Sequence, residues 1–237
     1  VGWIAAGAMI FGKSRAPMQY RQAVKAMRKN DYDAAVKAMD SLIKAEPQEP
    51  NHYRFRAELL RLWGKTDRAR RDYQQMTTLA QDDATRAVAF NGLAEIDLQT
   101  GKYEAAREAA QKACDLAPGE WVAAYNLGLI QDRVSDAPGA IDSLNRALAA
   151  KIPDSRHRLL VYLYLLRAHS RRQDSAAATH TLALLRKERA GLREWQSILH
   201  SDQAQVLRDV LAADIDTARR LMDGELAPAA LADGRPA

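Results

Sequence analysis

Apolar residues along this chain recur at helical spacing in blocks, and the blocks come in pairs divided by a short polar turn. The pattern is clearest in AVAFNGLAEIDLQTGKYEAAREAAQKACDLAP, where Phe90, Leu93, Ala94 and Leu98 form one stripe and Ala106, Ala110, Ala113 and Leu116 a second. Alanines fill the second stripe where two helix backbones must approach closely. Pro118 then stops the helix. The unit predicts an antiparallel helical hairpin.

Five stretches repeat this plan. Their turns are Asn30-Asp31-Tyr32, Gly64-Lys65-Thr66, Gly101-Lys102-Tyr103, Ser135-Asp136-Ala137 and Gln173-Asp174-Ser175, each followed by a small residue at Ala35, Ala69, Ala106, Ala140 or Ala178. The small residues recur about every 34 to 38 positions, a period that signals stacked helical hairpins. In the longer repeats the extra residues are expected between hairpins, because the distance from turn to small residue stays fixed.

These residues resemble the tetratricopeptide repeat (TPR): a large apolar residue, Leu-Gly or Leu-Ala, a mid-repeat turn, alanine, an aromatic, alanine and proline. The fourth unit follows the pattern through Ala124, Leu127-Gly128, Ala140, Leu144, Ala147 and Pro153. The first fits through Ala23, Ala26, Tyr32, Ala35, Met39 and Pro47, the second through Tyr53, Ala57, Leu60, Gly64, Ala69 and Tyr73, and the fifth through Tyr162, Leu165, Ala178 and Leu182. The resemblance implies an all-α fold, a right-handed α-solenoid of about five TPR hairpins over residues 16–190. A helical pattern continues through Trp195, Ile198, Leu199, Leu207, Leu211, Ile215, Ala218 and Leu221. Residues 191–223 are therefore expected to cap the solenoid, whose last repeat has no neighbour to cover it. Residues 224–237, rich in Gly, Pro and Ala, are expected to form a flexible tail.

Composition agrees with this reading. Aromatic residues make up only 6% of a chain that is 47% apolar, as alanine-rich helix packing requires. The 35 basic and 30 acidic residues are interspersed, so the formal charge of +5 argues for no nucleic-acid partner. The lone Cys114 lies on an apolar stripe and reads as a small core residue.

The N-terminus departs from an ordinary solenoid. Residues 1–12, VGWIAAGAMIFG, carry no charge, and Lys13, Arg15, Arg21, Lys25, Arg28 and Lys29 follow with no acid before Asp31. Since the chain begins at Val1, residues 1–13 read as the last turns of a transmembrane helix that starts upstream. The positive flank would then place the repeats on the cytoplasmic side. Two other readings stay open: an apolar helix packed on the first repeat, and the tail of a signal sequence.

No sequence motif points to catalysis, a cofactor or a metal. A phosphate-binding Gly loop, a nucleophile elbow, an H-E-x-x-H pair and cysteines at zinc spacing are all missing from the sequence. His52, His157, His169, His180 and His200 are scattered and read as surface or packing residues. Asp31, Asp33, Asp136 and Asp174 sit at turns, where carboxylates cap the following helix.

What the TPR resemblance implies is a groove lined by the first helix of each hairpin. It assigns to that groove Tyr20, Val24, Met27 and Arg28; Asn51, Arg54, Glu58 and Arg61; Asn91, Glu95 and Gln99; Val122, Tyr125, Asn126, Leu129 and Arg133; and Leu160, Leu163, Arg167 and Arg171. Arginines interleaved with tyrosines suit an acidic or amphipathic protein segment. The lysine and asparagine set with which some TPR proteins clamp chaperone tails is missing from the first repeat, where Tyr20 and Val24 stand instead. The reading is thus a non-catalytic, membrane-tethered adaptor that binds a protein partner. The alternatives are a soluble TPR co-chaperone or adaptor, and the regulatory part of a larger enzyme chain.

Overall fold

The computed structural model describes residues 17–201 and 205–232, and the reading of residues 1–13 lies outside them. Among the described residues there are twelve α-helices and no strand: α1 (Met18–Met27), α2 (Tyr32–Ala45), α3 (Pro50–Leu62), α4 (Thr66–Leu79), α5 (Asp83–Gln99), α6 (Tyr103–Leu116), α7 (Trp121–Arg133), α8 (Ala137–Ala149), α9 (Ser155–Arg171), α10 (Ser175–Leu185), α11 (Arg189–Leu199) and α12 (Gln205–Asp223). A 3-10 turn, Pro228–Leu231, follows. The chain forms two compact units, divided within α5 between Ile96 and Asp97.

All five hairpin turns share one backbone device. Asn30, Gly64, Gly101, Ser135 and Gln173 adopt positive φ of 59°, 76°, 73°, 62° and 58°. The next residue then donates its N–H back to a carbonyl five positions earlier, as Lys65 does to Leu60 and Asp136 to Gln131. This is the Schellman ending, which satisfies the last carbonyls of the first helix and reverses the chain. Asp31, Asp136 and Asp174 cap the second helices by accepting from the N–H groups of Ala34, Gly139 and Ala177. Asp33 instead pairs with Lys37 within α2.

The extra residues of the longer repeats are not in the connections. They lengthen first helices: α5 and α9 have 17 residues each, against 13 in α3 and α7. An insertion of this size is about one helical turn, so the apolar face keeps its register while the helix grows.

In the first unit Tyr20, Ala23, Ala35, Met39, Ala57, Leu60, Ala69, Tyr73 and Met76 form a continuous core. In the second, α7 packs on α8 and α9 on α10, over buried Ala106, Ala110, Cys114, Leu127, Ala140, Leu144, Leu163 and Leu166. Burial pushes the Cys114 thiol above its ordinary pKa, as expected of a core cysteine. Helices α11 and α12 both pack on α9, with α12 also reaching α10. Part of the expected loose tail is packed as well: the 3-10 turn lies against α9 and α10 and buries Leu231.

Ala106 and Ala140 have no solvent exposure. Ala106→Leu or Ala140→Leu should overpack these sites and cost about 1–3 kcal/mol in a denaturant melt, and an unchanged midpoint would contradict the helix packing.

Candidate functional site

Helix α9 opens with Asp154 as its N-cap, accepting from the His157 N–H, and it runs far enough to bring Tyr164, Arg167 and Arg171 beside the C-terminal end of α7. There Arg171 Nη1 donates to Asp132 Oδ1 at 2.7 Å, and Arg167 Nη1 reaches the other oxygen of Asp132 at 3.4 Å. The second amino group of Arg167 donates to Asp214 Oδ1 at 2.7 Å. Asp214 Oδ2 accepts from Arg133 at 2.5 Å and from the Tyr164 hydroxyl at 2.8 Å. One carboxylate of α12 is thus held by three donors from two first helices, and its residue has no solvent exposure.

Burial and charge compete in this cluster. Desolvation works against the charged guanidinium groups of Arg167 and Arg133, but nearby Asp214, Asp132 and Tyr164 hold both above their ordinary pKa. The Tyr164 hydroxyl is driven far up, first by burial and then by the Asp214 charge, so it stays a donor. Asp132 is raised by burial despite Arg167, Arg171 and Arg133.

A second cluster lies in the first unit. Glu58 and Arg61, both buried on α3, are 3.4 Å apart, and Glu95 is 3.6 Å from Arg61. The Tyr73 hydroxyl donates to Glu58. Burial pushes the Glu58 carboxyl up to about 8, with the Arg61 charge opposing. Nearby, the Tyr20 hydroxyl and His52 Nδ1 are 2.7 Å apart, and the Tyr20 ring meets Phe55 edge-on at 4.9 Å.

The groove residues inferred from the sequence therefore divide. Arg28 is exposed, and Arg54, Arg133 and Arg171 are partly exposed. Tyr20, Arg61, Asn91, Tyr125, Asn126 and Arg167 are buried, as are Leu160 and Leu163. The last two lie on α9, which packs on α7, α8, α10, α11 and α12. Arg133, Arg167 and Arg171 do come together, around carboxylates of the chain itself.

These repeats have counterparts among known proteins. The tetratricopeptide repeat profile matches residues 20–84, 64–121 and 91–155, more than half of the chain. The chain belongs to the tetratricopeptide repeat family. It is 28% identical over 127 residues to the small glutamine-rich tetratricopeptide repeat-containing protein 2 of Mycosarcoma maydis, covering 54% of this chain but only 35% of that relative. Solved TPR structures share the fold. PilW, described as a widely conserved type IV pilus biogenesis factor, aligns over 90% of this chain and 96% of its own at 18% identity and TM-score 0.61. MamA from Desulfovibrio magneticus RS-1 aligns over 76% and 97% at 16% identity and TM-score 0.60. YrrB, a TPR protein with an unusual peptide-binding site, aligns over 81% and 98% at 18% identity and TM-score 0.56.

The TPR resemblance left several site residues unnamed. Asp132, Tyr164 and Asp214 were missing from the inferred groove, although Asp214 carries a visible signal: it falls three residues after Leu211 and four before Ala218, on the apolar face of α12. His157 is also more than a scattered histidine. Its ring contacts Trp121 at 4.9 Å, Tyr125 at 5.5 Å and Trp195 at 6.3 Å, and Nδ1 lies 2.8 Å from the Asp154 carboxylate. That contact helps hold Asp154 down to about 2, against the effect of its burial. Among the described residues no group of three or more His, Cys, Asp or Glu side chains is placed to hold a metal ion, and no helix is long and apolar enough to cross a membrane.

Proposed function

We propose that this TPR chain is a non-catalytic adaptor that holds an acidic protein or peptide segment on the faces of its first helices. The observation that carries this reading is the convergence of Arg133, Arg167 and Tyr164 on one carboxylate of the chain itself, which supports a preference of these faces for acidic groups. A planar guanidinium pairs directionally with a carboxylate, and a desolvated pair is sensitive to a wrong partner. That YrrB has a peptide-binding site is consistent with such a role.

The tether belongs to the same proposal. Residues 1–12 are uncharged, and Arg21 and Lys25 on α1 with Arg28 and Lys29 in the turn after it are exposed, which suits an apolar anchor followed by a cytoplasmic, anionic membrane surface.

Arg28 and Arg54 are the residues to test, since their first-unit positions retain exposure. Immobilised full chain should capture its partner from detergent-solubilised native membranes, and Arg28→Glu with Arg54→Glu should reduce that capture by about tenfold or more. Arg107→Glu with Arg146→Glu makes the same charge change on exposed second-helix positions and should leave capture unchanged. Equal loss in both pairs would indicate general electrostatics, and no loss in the first pair would remove these arginines from the binding face.

A further inference from the structure

The C-terminal helix is held in a way that a simple cap does not need. A cap has only to cover the apolar surface of the last repeat, and Leu211, Ile215, Ala218, Leu221 and Met222 do this from α12. Yet in their midst α12 inserts Asp214, fully desolvated, into a receptor built by Arg133, Arg167 and Tyr164. Burying an ion pair costs most of what its attraction returns, so apolar residues in place of Asp214 and its arginines together would hold a cap at least as well. What the carboxylate adds is selectivity: a helix without one takes Asp214 from both Arg133 and Arg167 and leaves Arg167 only its longer, 3.4 Å contact to Asp132.

The charge balance of the receptor points the same way. Three arginines, Arg133, Arg167 and Arg171, face two carboxylates, and only Asp132 belongs to the same helices as they do. Without α12 the surface would present three guanidinium groups against a single carboxylate, beside the apolar face of α9. Even with α12 in place, Arg171 Nε is buried without a hydrogen-bond partner, donor capacity that Asp214 does not use.

We infer that this receptor docks an amphipathic helix of a partner protein, one that carries a carboxylate among aliphatic residues as α12 does, and that α12 is its resting occupant. The inference rests on reading the first-helix faces as partner-binding, and it narrows the partner to a helix that competes with α12. Binding then exchanges one helix for another of like chemistry, and the apparent affinity is lowered by the fraction of time α12 stays seated.

The test uses the full chain and a fluorescein-labelled synthetic peptide with the sequence of residues 205–223. In Asp214→Ala protein the cis helix loses its carboxylate, so the peptide should bind in trans, and roughly tenfold or more tighter than it binds wild type. The Asp214→Asn form of the peptide should bind neither protein. No binding to a folded, monomeric Asp214→Ala chain would overturn the proposal, as would equal binding of the two peptides. Dimerisation of that variant would assign the receptor to α12 of a second copy and overturn it too. Should Asp214→Ala fail to fold, hydrogen exchange of the wild-type chain decides. Exchange requires α12 to open on its own, so its amides should exchange about a hundredfold faster than those of α9, and equal protection in the two helices would sink the idea. Because none of these measurements touches Arg28 or Arg54, failure here leaves the capture experiment standing, and failure there leaves this one.

Discussion

Raising the pH from 5 to 9 should destabilise the wild-type protein by roughly 3–5 kcal/mol more than its Glu58→Gln variant. In the folded chain Glu58 keeps its proton up to about pH 8, because burial on α3 outweighs the attraction of Arg61. In the unfolded chain it titrates near its ordinary value of 4.5. Between these values the folded state binds more protons, so stability is greatest below pH 4.5, falls as the pH rises towards 8, and then levels off. Other groups act differently. Asp154, held down to about 2, contributes stability that is lost only below pH 4, and His169, lowered by burial, acts in the opposite direction near neutrality. Asp132 shifts in the same sense as Glu58, which is why the variant comparison, rather than the wild-type curve alone, isolates Glu58. Urea melts at several pH values would measure the difference, and parallel curves would show that Glu58 ionises in the folded state without penalty.

Gly92→Ala should cost about 3 kcal/mol, although alanine is the better helix former. At an open position in a helix the change would stabilise by up to about 1 kcal/mol. Here a Cβ would fall on the ring of Tyr73, which is fully buried and whose hydroxyl is tied to Glu58. Moving the ring aside would disturb that bond and the packed core around it. In a Tyr73→Leu background the same substitution should cost less than about 1 kcal/mol, since the clashing ring is gone. Chemical denaturation of the four proteins tests this, and an equal cost in both backgrounds would place the clash elsewhere.

These two residues show where sequence reading stops. The TPR pattern around Phe90 and Leu93 marks α5 as a helix with an apolar face, and Ala69 and Tyr73 mark α4. Gly92 next to Leu93 is unremarkable on paper, because its importance comes from a ring on another helix. In the sequence Glu58 reads as an ordinary charged residue on the groove face that the TPR resemblance implies. Its neutrality at pH 7 depends on burial between α3, α4 and α5, which periodicity does not measure.

The sequence by itself determined the local framework: five hairpin turns, capping aspartates at three of them, alanines where helices cross, and a helical segment after the last repeat. These features depend on neighbours a few positions apart, where steric preference and hydrogen-bonding geometry are set by residue type. Only the tertiary structure decided what the arginines do. Arg133 and Asp214 are 81 positions apart and Arg167 and Asp214 are 47 apart, so their meeting depends on how α12 returns across α7 and α9. A guanidinium on a helix face looks the same in sequence whether it waits for a foreign carboxylate or already holds its own. The difference lies in desolvation, and desolvation is a property of the packed chain.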